Sequence, residues 1–345
     1  MTWLSAFPCT LLLAAVPDPD WLERAVHWVL SPFPHDPYGF FGIQSTVFGL
    51  LAVVLVSVIC GCVGSLVVGS RMAFFSDALA HTAFAGISLG FLTALFAGVL
   101  DRGDFFDWAT PIMVVFGILV GLGIAYVAER TSLANDTVIG VFFAGAMGFG
   151  AMLLKGISQL GRYFNPEDFL FGSPGTVSSR DLQILFLLAV LTVILLGVLY
   201  NQLLFTTFNP SLARSRRIWV RLCSYLFIAL LAVIINVCLR TVGALLINAL
   251  LIVPAATAAN LSRNLRQMFW ATVVLSVAVG VAGYFLAYHL KVPLSSGKPL
   301  TFGSGGMIVV LSVILFFGSL ALAGWQRRRA AAAPAGPAEK AGVSS

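Results

Sequence analysis

Nine stretches of about 20 predominantly apolar residues recur along this chain, and each is long enough to cross the hydrocarbon core of a bilayer as a helix. They lie near 46–69, 74–99, 110–128, 135–154, 182–205, 218–238, 242–261, 267–289 and 305–325. In lipid every backbone N–H and C=O must be satisfied internally, so such stretches fold as helices. Composition closes the soluble alternative. The 345 residues are 59% hydrophobic and 10% charged, whereas an ordinary globular chain is about 25% charged. The expectation is an all-α, polytopic helical membrane protein with eight or nine transmembrane helices.

The 242–261 stretch is the irregular one. It follows its neighbour after a few residues, and Asn248 and Pro254 interrupt it. The expectation there is a broken or partly inserted helix lining a cavity or a helix interface. Residues 1–16 are apolar but short and lack a basic flank. Trp21, Trp28, Pro32, Pro34 and Tyr38 suit a short interfacial helix and loop, so 1–45 reads as an extracytoplasmic extension. Residues 46–325 then form the transmembrane domain, and the Ala/Pro/Gly-rich tail 326–345 is expected to be disordered and cytoplasmic.

The net charge of +6 fits cationic cytoplasmic loops better than a nucleic-acid partner. With Arg71 inside, alternation puts Arg130, Arg214, Arg216, Arg217, Arg263, Arg266 and Arg327–Arg329 on the same side. Asp101, Asp104, Asp107, Glu167 and Asp168 fall opposite. Four of the cysteines (Cys60, Cys62, Cys223, Cys238) fall within or beside apolar runs, where Cys acts as a small hydrophobe. No G-x-x-x-x-G-K-[ST] loop occurs, so energy for uphill work must come from a partner or an ion.

Charged side chains at the centre of a span cost at least about 2.5–3.5 kcal/mol, which makes them functional by default. In the second span Asp77 and His81 are four residues apart and share one helix face. At about 1.5 Å per residue, His81 lies roughly 15 Å beyond Arg71, near the bilayer midplane. A carboxylate and an imidazole make half of a divalent-metal site. A hydrogen bond that only ties helices together and a proton relay fit the same pair. Asp136 opens the fourth span, where an N-capping role is the economical reading. Gly140, Gly145, Gly148 and Gly150 give that span small faces for close helix approach. His27, His35 and His289 read as interfacial histidines. Asn209 and Pro210 form a helix-start signal before Leu212, Ala213 and Arg214. That loop reads as a docking helix or as a solvated basic turn.

Taken together, these pieces resemble the membrane subunits of ATP-binding-cassette importers for manganese, zinc and iron. The match runs from about Phe48 to Leu320. Four motifs carry it: Arg71-Met72-Ala73 leading into Ser76-Asp77-Ala78-Leu79-Ala80-His81; Asp136-Thr137-Val138-Ile139-Gly140; Val242-Gly243-Ala244-Leu245-Leu246 running to Leu251-Ile252-Val253-Pro254-Ala255-Ala256-Thr257-Ala258; and Pro293-Leu294-Ser295-Ser296-Gly297. The resemblance implies a type II ABC importer-like permease in the cell (inner) membrane, a dimer with a central path. It implies a cytoplasmic ATP-binding-cassette ATPase, an extracytoplasmic metal-binding protein, and a subunit that is itself no enzyme. It assigns Asp77 and His81 to the metal pathway and Asn209–Arg217 to ATPase coupling. That loop departs from the family pattern: the usual acidic residue near Asn209 and the later glycine are absent, and Ser215-Arg216-Arg217 stands instead.

The expected cargo is Mn²⁺, Zn²⁺ or Fe²⁺, since Asp plus His suits all three. No permanently bound cofactor is expected. The rival readings are a proton-coupled metal carrier needing no ATPase and a metal-chelate permease of the same superfamily. An intramembrane hydrolase is disfavoured by the lack of H-E-x-x-H and G-x-S-x-G.

Overall fold

The computed structural model describes residue 40 and residues 43–70, 72–98, 105–159, 177–208, 219–293 and 299–332. Among them nine helices are long and apolar enough to span a membrane. They are α1 (Gln44–Gly69), α2 (Ala73–Ala97), α3 (Phe105–Arg130), α4 (Asn135–Gln159), α5 (Ser179–Phe208), α6 (Val220–Val242), α7 (Ala244–Leu261), α8 (Leu265–His289) and α9 (Ser304–Ala332). All nine expected spans are present. The one β-element among the described residues is a two-strand antiparallel pair before α9. It joins β1 (Lys291–Pro293) to β2 (Pro299–Thr301), with Val292 opposite Leu300.

Burial divides the helices. More than half of the apolar window of α1, α2, α6 and α7 is buried, against 17–39% for the other five. The central helices are therefore apolar on every side, as a helix with no solvent face must be. α1 packs on α5, α7 and α8, while α2 packs on α3, α4 and α6. α6 also meets α5 and α1, joining the two groups. Lipid tails are as apolar as leucine, so helices associate through close packing, which small residues permit. A side chain at Gly61 would place its Cβ 2.8 Å from Val273 Cα of α8. One at Gly64 would collide with the Leu251 carbonyl of α7. Of the α4 glycines, Gly150 alone uses its smallness this way, against Ala85 of α2; Gly140, Gly145 and Gly148 face open space.

Two expectations are corrected. The 242–261 segment is neither broken nor partly inserted: α7 is one continuous helix of 18 residues with Pro254 inside it. At about 1.5 Å per residue it measures about 27 Å, close to the hydrocarbon thickness. Proline at 254 removes the N–H that would bond the Leu250 carbonyl. Ser276 of α8 supplies the replacement, its hydroxyl donating to that carbonyl at 3.4 Å. The tail is also more ordered than expected, because α9 continues seven residues past Trp325 to Ala332. The run Gln326-Arg327-Arg328-Arg329-Ala330-Ala331-Ala332 consists of strong helix formers, and its cations suit a helix C-terminus. Residues 333–345 lie outside the described residues, as does the interfacial segment expected over 17–45 apart from residue 40 and residues 43–45, the last two of which open α1. The four described cysteines are buried and form no disulfide.

A single residue, Gly243, separates α6 from α7, with φ 86° and ψ 158°. That backbone conformation is essentially restricted to glycine, and another residue there costs on the order of 1–3 kcal/mol. The expected result for Gly243→Ala is a lower melting temperature of the detergent-solubilised protein. An unchanged melting curve would mean that the α6–α7 junction relaxes freely.

Candidate metal-transit site

α2 exposes a stripe at Phe74, Asp77, His81 and Phe84, spaced three or four residues apart on the face that α3 and α6 do not cover. α7 presents a matching stripe at Leu245, Asn248, Ile252, Ala256 and Ala259. The two meet at Asp77. The Asn248 amide Nδ2 donates to Asp77 Oδ1 at 2.8 Å, across 171 residues of sequence. His81 Nδ1 lies 2.9 Å from the Asp77 backbone carbonyl and 3.6 Å from Asp77 Oδ1. The His81 ring also packs edge-on against Phe143 of α4, with centroids 5.1 Å apart.

These contacts decide which atoms remain available. A carbonyl oxygen can only accept, so Nδ1 of His81 is the donor, and in the neutral ring the Nε2 lone pair is left free. Asp77 Oδ1 is engaged by Asn248, and no hydrogen bond from a described residue reaches Oδ2. One oxygen and one nitrogen donor therefore stand ready on one helix face. The side chains are 48% (Asp77) and 26% (His81) exposed, so the pair opens onto space that the described residues do not fill. Two donors do not close a metal site, and no group of three or more His, Cys, Asp or Glu able to hold a metal occurs among the described residues. The arrangement suits passing contact with a cation and not permanent retention.

Depth follows from the neighbours. Phe75 and Leu79, which bracket Asp77, pack around Gly121 of α3 together with Ile228 of α6. Gly121 is nine residues short of the α3 end at Arg130, and Ile228 is eight past the α6 start at Val220. At about 1.5 Å per residue, Asp77 lies roughly 12–14 Å inside the basic ends of these helices, near the middle of a core of about 30 Å.

The other sequence candidates separate. Pro254 is buried within α7 and acts in packing. Asp136 is exposed in the first turn of α4, two residues past the capping position, since Ala134 O takes the first helical N–H groups. Its charge still complements the helix dipole. His289 ends α8 beside Phe285 and Tyr288 and has no metal-donor neighbour in a described cluster. Arg71, His27, His35 and the coupling segment with Asn209, Pro210, Leu212, Ala213 and Arg214 lie outside the described residues. One cluster was not anticipated. Arg240 of α6 donates through Nη1 to Thr110 of α3 at 3.0 Å and pairs through Nη2 with Asp181 of α5 at 3.5 Å. Asp181 also takes the Ser178 hydroxyl at 2.8 Å, and its own N–H donates back to Ser178 Oγ. The Ser178-x-x-Asp181 spacing is a capping-box pattern legible in the sequence.

Comparison with known proteins places these features. Residues 43–323 match the family described as the ABC 3 transport family. The manganese import system permease ScaB of Streptococcus gordonii is 28% identical over 278 residues, covering 81% of this chain and 91% of the relative. The manganese transport system membrane protein MntC of Listeria innocua is 27% identical over 268 residues, covering 78% and 87%. Among solved structures, PsaBC from Streptococcus pneumoniae in complex with Fab superposes with a TM-score of 0.62 at 25% identity, covering 86% of this chain and 95% of that one. An inward-facing metal-chelate type ABC transporter gives 0.57 at 15% identity, a likeness of fold alone.

Proposed function

The chain belongs to the ABC 3 transport family, and from that premise we propose that it is the permease subunit of an ATP-driven importer of divalent metal ions, with manganese as the favoured cargo. It works as a multi-pass protein of the cell membrane. Hydrolysis resides on a separate cytoplasmic ATPase, and an extracytoplasmic binding protein delivers the ion. The relatives named as manganese import permeases support the cargo. The observation that carries the reading is the Asp77–His81 pair, with one free oxygen and one free nitrogen donor at mid-membrane depth.

Two copies of the subunit would bring two such pairs together, giving a transient two-oxygen, two-nitrogen set between them. Each copy holds half a site, so separating the copies releases the ion without breaking a closed cage. ATP-driven closure of the cytoplasmic subunits, acting through the Asn209–Arg217 segment, would rock the helices and pass the ion inward. A bare-ion cargo suits this donor set better than a metal chelate, whose metal is already enclosed by its own ligands.

The test is manganese accumulation in metal-starved cells that express the permease with its ATPase and binding protein. The expected result is uptake that vanishes when the ATPase is inactivated in its Walker motif. Uptake that persists without the ATPase and collapses on adding an uncoupler would replace this reading with the proton-coupled carrier.

A further inference from the structure

We infer that Asn248 is the positioning residue of this transit site: by holding one oxygen of Asp77 it fixes the direction in which the other faces the ion, and so sets which metals pass. The inference rests on the importer reading above and adds a determinant of specificity to it.

Three observations point to it. The amide Nδ2–H of Asn248 donates to Asp77 Oδ1 at 2.8 Å and is the only hydrogen bond to that carboxylate from another helix among the described residues. The Asn248 Oδ1 atom is buried and has no hydrogen-bond partner. A buried polar atom left unsatisfied in a folded protein calls for a reason. Here the reason is the orientation of the amide. Turning it over would lose the bond to Asp77, because it would set two oxygens against each other there. The third observation is where the residue is mounted. Asn248 stands five residues after the Gly243 junction on α7, a helix held by backbone-close contact with α1 at Gly64 and by Ser276 of α8. The clamp therefore comes from a packed element and not from a loop.

Outer partners that hydrogen-bond a ligating carboxylate fix its orientation and tune the metal. The consequence here is discrimination. For a given set of nitrogen and oxygen donors, Zn²⁺ binds more tightly than Mn²⁺, so a manganese pathway has to rely on geometry and not on raw affinity. With Oδ1 pinned, Asp77 offers a single oxygen along a set direction. Once unpinned, the carboxylate swings freely and adapts to the tetrahedral, short-bond arrangement that Zn²⁺ takes.

The experiment uses the complete transporter in cells and measures Mn²⁺ uptake against rising free Zn²⁺ for wild type, Asn248→Leu, Asn248→Gln and Asp77→Ala. Leucine keeps the bulk at 248 and removes the donor, whereas glutamine keeps an amide. The expected result is a fall of about tenfold in the Zn²⁺ concentration that halves Mn²⁺ uptake for Asn248→Leu, the lower end of what outer-shell partners are worth. Asn248→Gln should recover a measurable part of that difference. Both the Mn²⁺ KM and the Zn²⁺ midpoint are independent of how much transporter is made, so a merely structural role would leave them unmoved. Asn248→Leu with a wild-type KM and a wild-type Zn²⁺ midpoint, while Asp77→Ala abolishes uptake, overturns the inference and leaves the importer reading standing. Normal uptake by Asp77→Ala overturns the inference together with the Asp77–His81 site, whereas wild-type Mn²⁺ uptake that does not need the ATPase overturns the importer reading.

Discussion

His81→Ala is expected to abolish ATP-dependent manganese accumulation while leaving the transporter assembled. The imidazole supplies the only nitrogen donor beside Asp77 among the described residues. In a two-fold site each substitution deletes two ligands at once. The loss should therefore exceed the roughly 10–100-fold typical of outer-shell partners around a metal. Assembly should survive, because His81 sits mid-membrane and the segment proposed to couple to the ATPase, Asn209–Arg217, lies more than a hundred residues away along the chain. Its other described contact is the ring of Phe143, one edge-on pair worth about 0.5–1.5 kcal/mol. The decisive comparison is uptake per assembled complex, with co-purification of the ATPase as the control. Wild-type uptake by both His81→Ala and Asp77→Ala would reduce the pair to a helix-stabilising contact. Lost uptake together with lost ATPase association would assign His81 to assembly.

The spans were readable because hydropathy acts locally. A run such as Val47–Val67 has one low-energy solution in lipid, whatever the rest of the chain does. Spacing likewise put Asp77 and His81 on one face, since a four-residue interval on a helix leaves little choice. What the sequence obscured depends on contacts between distant segments. Proline at 254 marked α7 as broken, and nothing local reveals that Ser276 of another helix caps the freed Leu250 carbonyl. Asn248 stood out as a polar residue at membrane depth, but its partner lies 171 residues away. Its role as a clamp on Asp77 became visible only when α2 and α7 were placed side by side. The glycines of α4 show the converse. Their spacing suggested close packing, yet only Gly150 meets another helix of this chain. A small-residue pattern states where a partner could approach without saying which one does. Arg240 escaped notice for a related reason: its pairing with Asp181 and Thr110 draws on three helices.

Gly64→Ala and Gly148→Ala should shift stability in opposite directions, although both replace a glycine within an apolar helix. Alanine is favoured over glycine in a helix interior by about 1 kcal/mol. That gain applies equally at both sites, so the difference between them isolates the tertiary contact. At Gly148 a new Cβ meets nothing within 4 Å, and the variant should be as stable as wild type or slightly more so. At Gly64 the Cβ would strike the Leu251 carbonyl oxygen of α7, with Ala255 close behind. A backbone atom cannot turn aside as a flexible side chain can, so α1 and α7 must separate. Forcing an extra methyl into such a contact costs on the order of 1–3 kcal/mol, and because the helix term cancels between the sites the two variants should differ by that amount, roughly 1–3 kcal/mol. Thermal unfolding of the two purified proteins in the same detergent measures this directly. Equal midpoints would mean that α1 and α7 do not approach at Gly64. The consequence would reach the transit site, because Leu251 lies three residues from Asn248 on the same helix. A displaced α7 carries the amide away from Asp77, so Gly64→Ala should also weaken the discrimination against Zn²⁺ that the Asn248 clamp provides. Gly148→Ala should leave it unchanged.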